Sequence, residues 1–138
     1  MSQQNLPNQL PSVRYLWNGS EEQLAVLVST LKKKQCIKRQ KDLFDLFQKP
    51  GDNVKVRWAG HCKPLLAHLL YRLFAEGYCC IRGTKGYFSY AEKHFVGFDG
   101  QPFAKDSLKK MSSKVNSYPE RYEDVRREAE VILQNITK

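Results

Sequence analysis

Apolar residues recur along the chain with two spacings, every second residue in short stretches and every third or fourth in longer ones. Residues 13 to 17 alternate, which predicts a strand with three large apolar side chains on one face: Val13, Tyr15 and Trp17. Ser20 then predicts a helix start, with Gln23 placed to complete a capping box. The core-facing stripe of this helix follows at helical spacing: Leu24, Leu27, Val28 and Leu31.

The same order of features begins again at residue 54. The predicted strand face carries Val54, Val56 and Trp58. A glycine stands two residues after each tryptophan, at Gly19 and Gly60, and Pro64 suits the first turn of the next helix. That helix has a wider apolar stripe, which ends before Gly77: Leu65, Leu66, Leu69, Leu70, Leu73 and Phe74. We predict a duplicated Trp-x-Gly strand–helix unit, with both tryptophans largely buried and the two Trp strands paired in a small sheet.

Shorter patterns predict the remaining elements. A short helix around residues 43 to 47 stops at Pro50-Gly51, a strand covers residues 78 to 81, and a turn covers residues 83 to 86. A further short helix is predicted at residues 88 to 95.

Two amphipathic helices are predicted at the C-terminal end. The first opens at Asp106 or Ser107 and buries Leu108, Met111 and Val115. The second begins at Pro119 and turns five residues inward: Tyr122, Val125, Ala129, Ile132 and Ile136.

These elements predict a mainly helical α+β fold. Residues 1–11, rich in Gln, Asn and Pro, predict a flexible tail, and residues 12–138 predict a single compact domain. Its first strand–helix unit spans about 13–48, and the second unit with the C-terminal helices spans about 54–137. A length of 138 residues suits one core, and 41% hydrophobic residues are too many for a disordered chain.

The net charge of +9 favours anionic partners, nucleic acid before an anionic membrane. No apolar run approaches the roughly 20 residues of a membrane helix, so no membrane span is expected. The N-terminus lacks the basic and apolar regions of a secretory signal. We therefore expect a cytoplasmic protein whose four cysteines are thiols: Cys36, Cys62, Cys79 and Cys80.

The cysteines and histidines do not predict a metal site. His61-Cys62 and Cys79-Cys80 are adjacent pairs without the Cys-x-x-Cys spacing of a zinc site. A zinc site formed by Cys36, Cys62, Cys79 and His61 is therefore disfavoured. His68 and His94 lie within apolar helical patterns and are expected to be partly buried structural residues.

Signatures of catalysis are also lacking in the sequence. Residues 83 to 86 lack the spacing of a phosphate-binding glycine loop, and no thiol stands in a catalytic motif. Most carboxylates fall in a helix N-terminal turn or on the last helix. We expect no catalytic residue, no cofactor, no metal and no small-molecule substrate.

Two lysine-rich clusters are the functional signal. Residues 32 to 41 carry six positive charges, and their candidate nucleic-acid contacts are Lys33, Lys34, Lys38 and Arg39. The alternative is a helix C-terminus followed by a solvated loop. The second cluster combines lysines for phosphates with short polar groups for base edges: Lys105, Lys109, Lys110, Ser112, Ser113, Lys114 and Asn116. An ordinary surface helix would have the same composition. Because few aromatic residues flank the clusters, a stacking platform for single strands is disfavoured.

The second half of the chain resembles a known family. The resemblance rests on Trp58-Ala-Gly60, the leucine-rich helix ending Phe74-Ala-Glu-Gly77, His94-Phe95, Phe98-Asp-Gly-Gln-Pro-Phe103, Leu108 and the tail Tyr118-Pro119…Tyr122. Over roughly residues 54 to 137 the chain is similar to the C-terminal domain of RteC-type regulators and small relatives from Bacteroidetes mobile elements. The resemblance implies a winged-helix-like, DNA-binding fold and a role in element excision or transcription. It implies no particular site residue, and we expect the chain to lack the larger N-terminal part of those regulators.

We expect a non-enzymatic, duplex-DNA-binding accessory protein or transcriptional regulator of a bacterial mobile element. The alternative is a small interaction module that binds an acidic protein and no nucleic acid. DNA binding that weakens steeply with salt would separate the two, because phosphate contacts release counterions. The sequence specifies neither the operator nor the oligomeric state.

Overall fold

A computed structural model describes residues 14–48, 54–82 and 86–137, and helices dominate these ranges. In chain order, the elements are β1 (Arg14–Trp17), α1 (Glu21–Lys33), α2 (Gln40–Gln48), β2 (Val56–Arg57), a 3₁₀ turn (Gly60–Cys62), α3 (Lys63–Ala75), β3 (Cys79–Arg82), α4 (Tyr87–His94), β4 (Phe95–Val96), α5 (Lys105–Ser117) and α6 (Glu123–Thr137). The prediction of a mainly helical α+β fold is confirmed. The predicted tail at residues 1–11, the helix stop at Pro50-Gly51 and most of the turn at residues 83 to 86 lie outside the described residues.

The four strands form two separate two-stranded ladders. β1 pairs antiparallel with β3, which places Trp17 opposite Cys79, and β2 pairs parallel with β4, which places Val56 opposite Phe95. The prediction that the two Trp strands pair with each other is therefore wrong. Both edges of β2 are occupied, since β4 lies on one side and an antiparallel bridge joins Trp58 to Ile37 on the other.

The two Trp-x-Gly units nevertheless share a local feature. The Trp17 indole N–H donates to the Ser20 carbonyl oxygen at 2.9 Å, and the Trp58 indole N–H donates to the Cys62 carbonyl oxygen at 2.7 Å. In both units the ring folds back over the start of the following leucine-striped helix. Trp58 is 1% exposed, as predicted, whereas Trp17 is only half-buried. The units agree locally and differ in their strand partners.

Helices α1 and α3 begin and end largely as the sequence predicts. Ser20 Oγ accepts from the Gln23 N–H at 3.0 Å, and Gln23 Oε1 accepts from the Ser20 N–H at 2.8 Å, so the capping box is complete. Each helix is followed by a residue with positive φ, Gln35 at 62° and Gly77 at 83°. The left-handed conformation ends both helices and turns the chain away.

The two C-terminal helices begin elsewhere than predicted. α5 starts at Lys105 after an N-cap at Ala104, ahead of the predicted Asp106 or Ser107. A carboxylate from another helix, Glu92, accepts the Lys105 N–H at 3.2 Å and takes the place of a local cap. α6 starts at Glu123, because the residues after Pro119 form a turn first.

Helix α3 lies at the centre of the core. It packs against α5 and α6, while α1 packs against α2 and α6. Seven of its residues are buried, more than in any other described helix: Leu65, Leu66, Ala67, His68, Leu69, Leu70 and Leu73. The remaining helices therefore present their outer faces to solvent around this central element.

Candidate nucleic-acid interface

Helix α5 separates its apolar and charged side chains onto opposite faces. Leu108 and Val115 are buried and Met111 is half-buried. The exposed side, here called the α5 lysine face, carries Lys105, Lys109, Lys110, Ser113, Lys114 and Asn116. The predicted inward face is confirmed for Leu108 and Val115, and Met111 lies at its half-buried part.

Ser112 does not belong to the α5 lysine face. Its side chain is buried, with a relative exposure of 6%. Four residues after Leu108 and three before Val115, it falls on the same side of the helix as both. The prediction that Ser112 is available to base edges is therefore wrong, and only Ser113 and Asn116 keep that possibility.

Neighbouring helices hold the first turn of α5. The helix packs against α3 and α4. Besides the bond from Lys105 to Glu92, the ammonium group of Lys63 on α3 contacts the Ser107 hydroxyl. The α5 lysine face is therefore carried on a helix whose start is fixed from two sides.

The four ammonium groups of the α5 lysine face have no ion-pair partner among the described residues. Asp106 is the only acidic residue of α5 and stands in its first turn, where the helix dipole favours a carboxylate. Some other basic residues do have ion-pair partners: Lys41 pairs with Asp45, and Arg127 pairs with Glu123 at 2.8 Å. The lysine face therefore presents positive charge that the described part of the protein does not neutralise.

The first lysine cluster is partly engaged within the protein. Lys34 Nζ lies 3.1 Å from Glu128 Oε2 on α6, and Arg39 lies 4.0 Å from the Asp42 carboxylate. Lys33 is exposed, whereas the ammonium group of Lys32 donates to the Lys38 carbonyl oxygen at 3.1 Å. Lys34 is thus less available to a phosphate than the lysines of α5.

The two clusters lie on different elements of the fold. The first cluster follows the C-terminal end of α1, and the second runs along the outer side of α5. The eleven predicted contact residues are not all available to a ligand, because Ser112 is buried and Lys34 pairs with Glu128.

A second basic surface forms beside the parallel ladder, where Lys38, a predicted contact residue, meets Arg57 and Phe98, which were not predicted as contacts. The Lys38 ammonium group lies 5.8 Å from the centroid of the Phe98 ring, within the range of a cation–π contact. Arg57 Nη1 donates to the Phe98 carbonyl oxygen at 2.9 Å. Phe98 itself is 45% exposed. We call Lys38, Arg57 and Phe98 the Phe98 patch.

Pairing between distant segments creates the Phe98 patch. The Lys38 N–H donates to the Arg57 carbonyl oxygen at 3.1 Å, and Arg57 stands opposite Val96 in the parallel ladder. The outward position of Arg57 could be predicted from the alternation in residues 54 to 58. The partner strand could not, because the sequence does not say which segment pairs with β2.

The cysteines and histidines of the described ranges do not form a metal site. No three ligand side chains converge there, although Cys36 Sγ and Cys62 Sγ are 3.3 Å apart. His94 is buried, and its Nδ1 lies 2.7 Å from the Val54 carbonyl oxygen. The structural role predicted for His94 agrees with these contacts.

His68 is buried on α3, with 2% of its surface exposed. Its Nδ1 has no hydrogen-bond partner in the described part of the protein. Burial lowers the pKa of His68 to about 4, and the positive charges of Arg72 and Arg126 act in the same direction. The ring is therefore neutral near pH 7, as suits a core position.

An open groove of about 540 Å³ lies where α3 ends and α6 begins. Two ion pairs lie along it, since Arg72 Nη1 lies 3.0 Å from Glu130 Oε1 and Arg127 Nη2 lies 2.8 Å from Glu123 Oε2. Arg72 and Arg127 are therefore engaged within the protein.

Comparison with known proteins identifies no relative of this chain. No family model matches the chain, and no curated protein or solved structure matches it either. In the described ranges, no helix combines the length and apolar character needed to cross a membrane. The resemblance to RteC-type regulators thus remains an expectation from the sequence.

Proposed function

We propose that the protein is a non-enzymatic DNA-binding protein that contacts duplex DNA through the α5 lysine face. One observation carries the proposal: Lys105, Lys109, Lys110 and Lys114 are exposed on one helix, and no described residue pairs with them. Because duplex DNA presents a regular array of phosphates, a row of free ammonium groups on a fixed helix suits it.

In this proposal α5 is the recognition helix of a winged-helix-like domain. Lys109 and Lys110 contact phosphates, and the exposed Ser113 and Asn116 contact base edges. The β2–β4 ladder with the Phe98 patch takes the role of a wing and contacts the backbone of the same duplex. Ser112 has no part in recognition, because it is buried.

The biological role in the proposal is that of an accessory protein or transcriptional regulator of a bacterial mobile element. It is supported by the resemblance of residues 54 to 137 to RteC-type regulators. A cytoplasmic location belongs to the same proposal, since bacterial DNA lies in that compartment.

The test is the salt dependence of duplex binding. Replacing Lys109 and Lys110 by Ala should lower the slope of log affinity against log salt by about 0.9 for each lost phosphate contact, with little change in sequence preference. The control is the double variant Lys33→Ala with Lys34→Ala, which removes the same charge. It should change the slope less, because Lys34 already pairs with Glu128.

Two serine substitutions test which face of α5 contacts the DNA. Ser113→Ala should weaken preference among DNA sequences, whereas Ser112→Ala should leave that preference unchanged. If the native protein does not bind duplex DNA at moderate salt, or neither lysine double variant changes binding, the proposal fails. The protein is then better described as an interaction module for an acidic protein partner.

A further inference from the structure

Two cysteines distant in sequence meet at the junction of the two strand–helix units. Cys36 follows the end of α1, and Cys62 stands at the start of α3, yet their sulfur atoms are 3.3 Å apart. Cys36 Sγ is the donor and Cys62 Sγ the acceptor of a thiol–thiol hydrogen bond. A disulfide requires the sulfurs to approach from this distance to about 2.0 Å.

Main-chain hydrogen bonds hold both cysteines in place. The Cys36 N–H donates to the Leu31 carbonyl oxygen at 3.0 Å, and the Cys36 carbonyl oxygen accepts from the Ala59 N–H at 2.8 Å. The Cys62 N–H donates to the Ala59 carbonyl oxygen at 3.0 Å. Ala59 therefore hydrogen-bonds to both cysteines through its main chain. These bonds fix the positions from which the two sulfur atoms approach each other.

The two thiols differ in access to solvent. Cys36 is 1% exposed, whereas Cys62 is half-buried. Burial, followed by the hydrogen bond to Cys62, raises the pKa of the Cys36 thiol. A reagent from solution should therefore meet Cys62 first, and Cys36 should react only with a group already on Cys62.

We propose that Cys36 and Cys62 form a thiol–disulfide exchange site for a low-molecular-weight disulfide such as oxidised glutathione. The Cys62 thiolate attacks one sulfur of the small disulfide, which forms a mixed disulfide and releases one small thiol. Cys36 Sγ then attacks Cys62 Sγ and breaks the mixed disulfide, and the proton lost by Cys36 ends on the departing sulfur, so the second small molecule leaves as a thiol. Two protein thiols are oxidised and one small disulfide is reduced to two thiols, so electrons and atoms balance.

The bond would link the end of α1 to the start of α3. It would close the chain between residues 36 and 62, which carries α2 and β2. Lys38 of the Phe98 patch lies two residues from Cys36, so oxidation would tether this surface as well. In the described ranges no third ligand joins the two sulfurs, which favours exchange over metal binding at this pair.

The experiment treats the reduced full-length protein with oxidised glutathione and maps disulfide-linked peptides by mass spectrometry. We expect a Cys36–Cys62 linkage that dithiothreitol reverses and that persists in the control Cys79→Ser. Oxidation should raise the Tm by roughly 10 °C, because the bond restricts the unfolded chain. A linkage through Cys79 or Cys80, or a Tm that falls on oxidation, would overturn the proposal.

Two further variants test the order of attack. Cys36→Ala should stop at a stable mixed disulfide on Cys62, whereas Cys62→Ala should acquire no glutathione on the buried Cys36. Should Cys36→Ala fail to fold, Cys62→Ala still decides the point, because Cys62 is only half-buried. Wild-type protein that remains fully reduced, or that stops at the mixed disulfide, would contradict the proposal.

Discussion

The indole nitrogen of Trp58 donates a hydrogen bond of 2.7 Å to the main-chain carbonyl oxygen of Cys62. Trp58 is also 1% exposed and packs edge-on against Phe95 of the parallel ladder. One side chain therefore fills the core, orients the turn into α3 and contacts β4. The corresponding bond of Trp17 to Ser20 is made by a half-buried ring.

Replacing the two tryptophans by Phe should affect stability unequally. Trp58→Phe loses core volume and leaves the Cys62 carbonyl without its indole donor, so we expect a loss of about 2–4 kcal/mol in the free energy of unfolding. Trp17→Phe should cost about 1–2 kcal/mol, since its ring is already half solvated. Urea unfolding of both variants measures the difference, and equal costs would contradict it.

Substitutions at the residues that follow α1 and α3 should change stability in opposite directions. Gln35 has a φ of 62° and Gly77 a φ of 83°. Glycine adopts this left-handed conformation without strain, whereas glutamine does not. Gln35→Gly should raise the free energy of unfolding by up to about 1 kcal/mol, and Gly77→Ala should lower it by about 1–2 kcal/mol.

Gly60→Ala is the matched control for the helix ends. No atom lies within 4 Å of a Cβ added at Gly60, and its φ is not positive. It should change stability by less than about 0.5 kcal/mol. A loss for Gln35→Gly in thermal or urea unfolding would show that the glutamine side chain outweighs the backbone strain.

Local sequence signals predicted most elements of the fold. The capping box at Ser20, the leucine stripes of α1 and α3 and the left-handed Gly77 depend on residues within one or two helical turns of each other. Such signals can be found in a sequence because the interacting groups are neighbours in the chain. The helices and the strands β1, β2 and β3 were therefore placed to within a few residues, whereas β4 was not predicted.

Long-range contacts account for the errors. The start of α5 depends on Glu92 of another helix, and the pairing of β2 depends on Phe95 and Ile37 from two distant segments. The same is true of the candidate site. The lysines of α5 were found from helical spacing, whereas the Phe98 patch required knowledge that Lys38, Arg57 and Phe98 meet.

Because the buried His68 is hard to protonate in the folded protein, the protein should lose stability in acid. Its pKa is about 4 in the folded protein and about 6.5 ordinarily, so between these values the unfolded chain binds more protons. The free energy of unfolding should therefore fall as the pH drops below about 6.5. The slope should approach 1.4 kcal/mol per pH unit, for a total near 3 kcal/mol at about pH 4.

The variant His68→Leu isolates the effect of this histidine on stability. It should lose the corresponding part of the pH dependence, whereas His61→Leu, at an exposed position, should retain it. Chemical unfolding at several pH values between 7 and 4 measures the slopes. If wild type and His68→Leu lose stability in parallel, protonation of His68 is not the cause.

The Phe98 patch predicts a second contribution to DNA binding, separate from that of the α5 lysine face. Replacing Lys38 and Arg57 by Ala should lower the slope of log affinity against log salt by up to about 1.8, since two phosphate contacts are lost. The matched control is Lys41→Ala with Arg127→Ala, which removes the same charge from residues already paired with Asp45 and Glu123. Because those cations are neutralised locally, the control should change the slope much less.

Unchanged Tm values would show that both double variants remain folded. If the two double variants reduce the slope equally, net charge rather than contact explains the effect, and the ladder beside Phe98 does not touch the DNA.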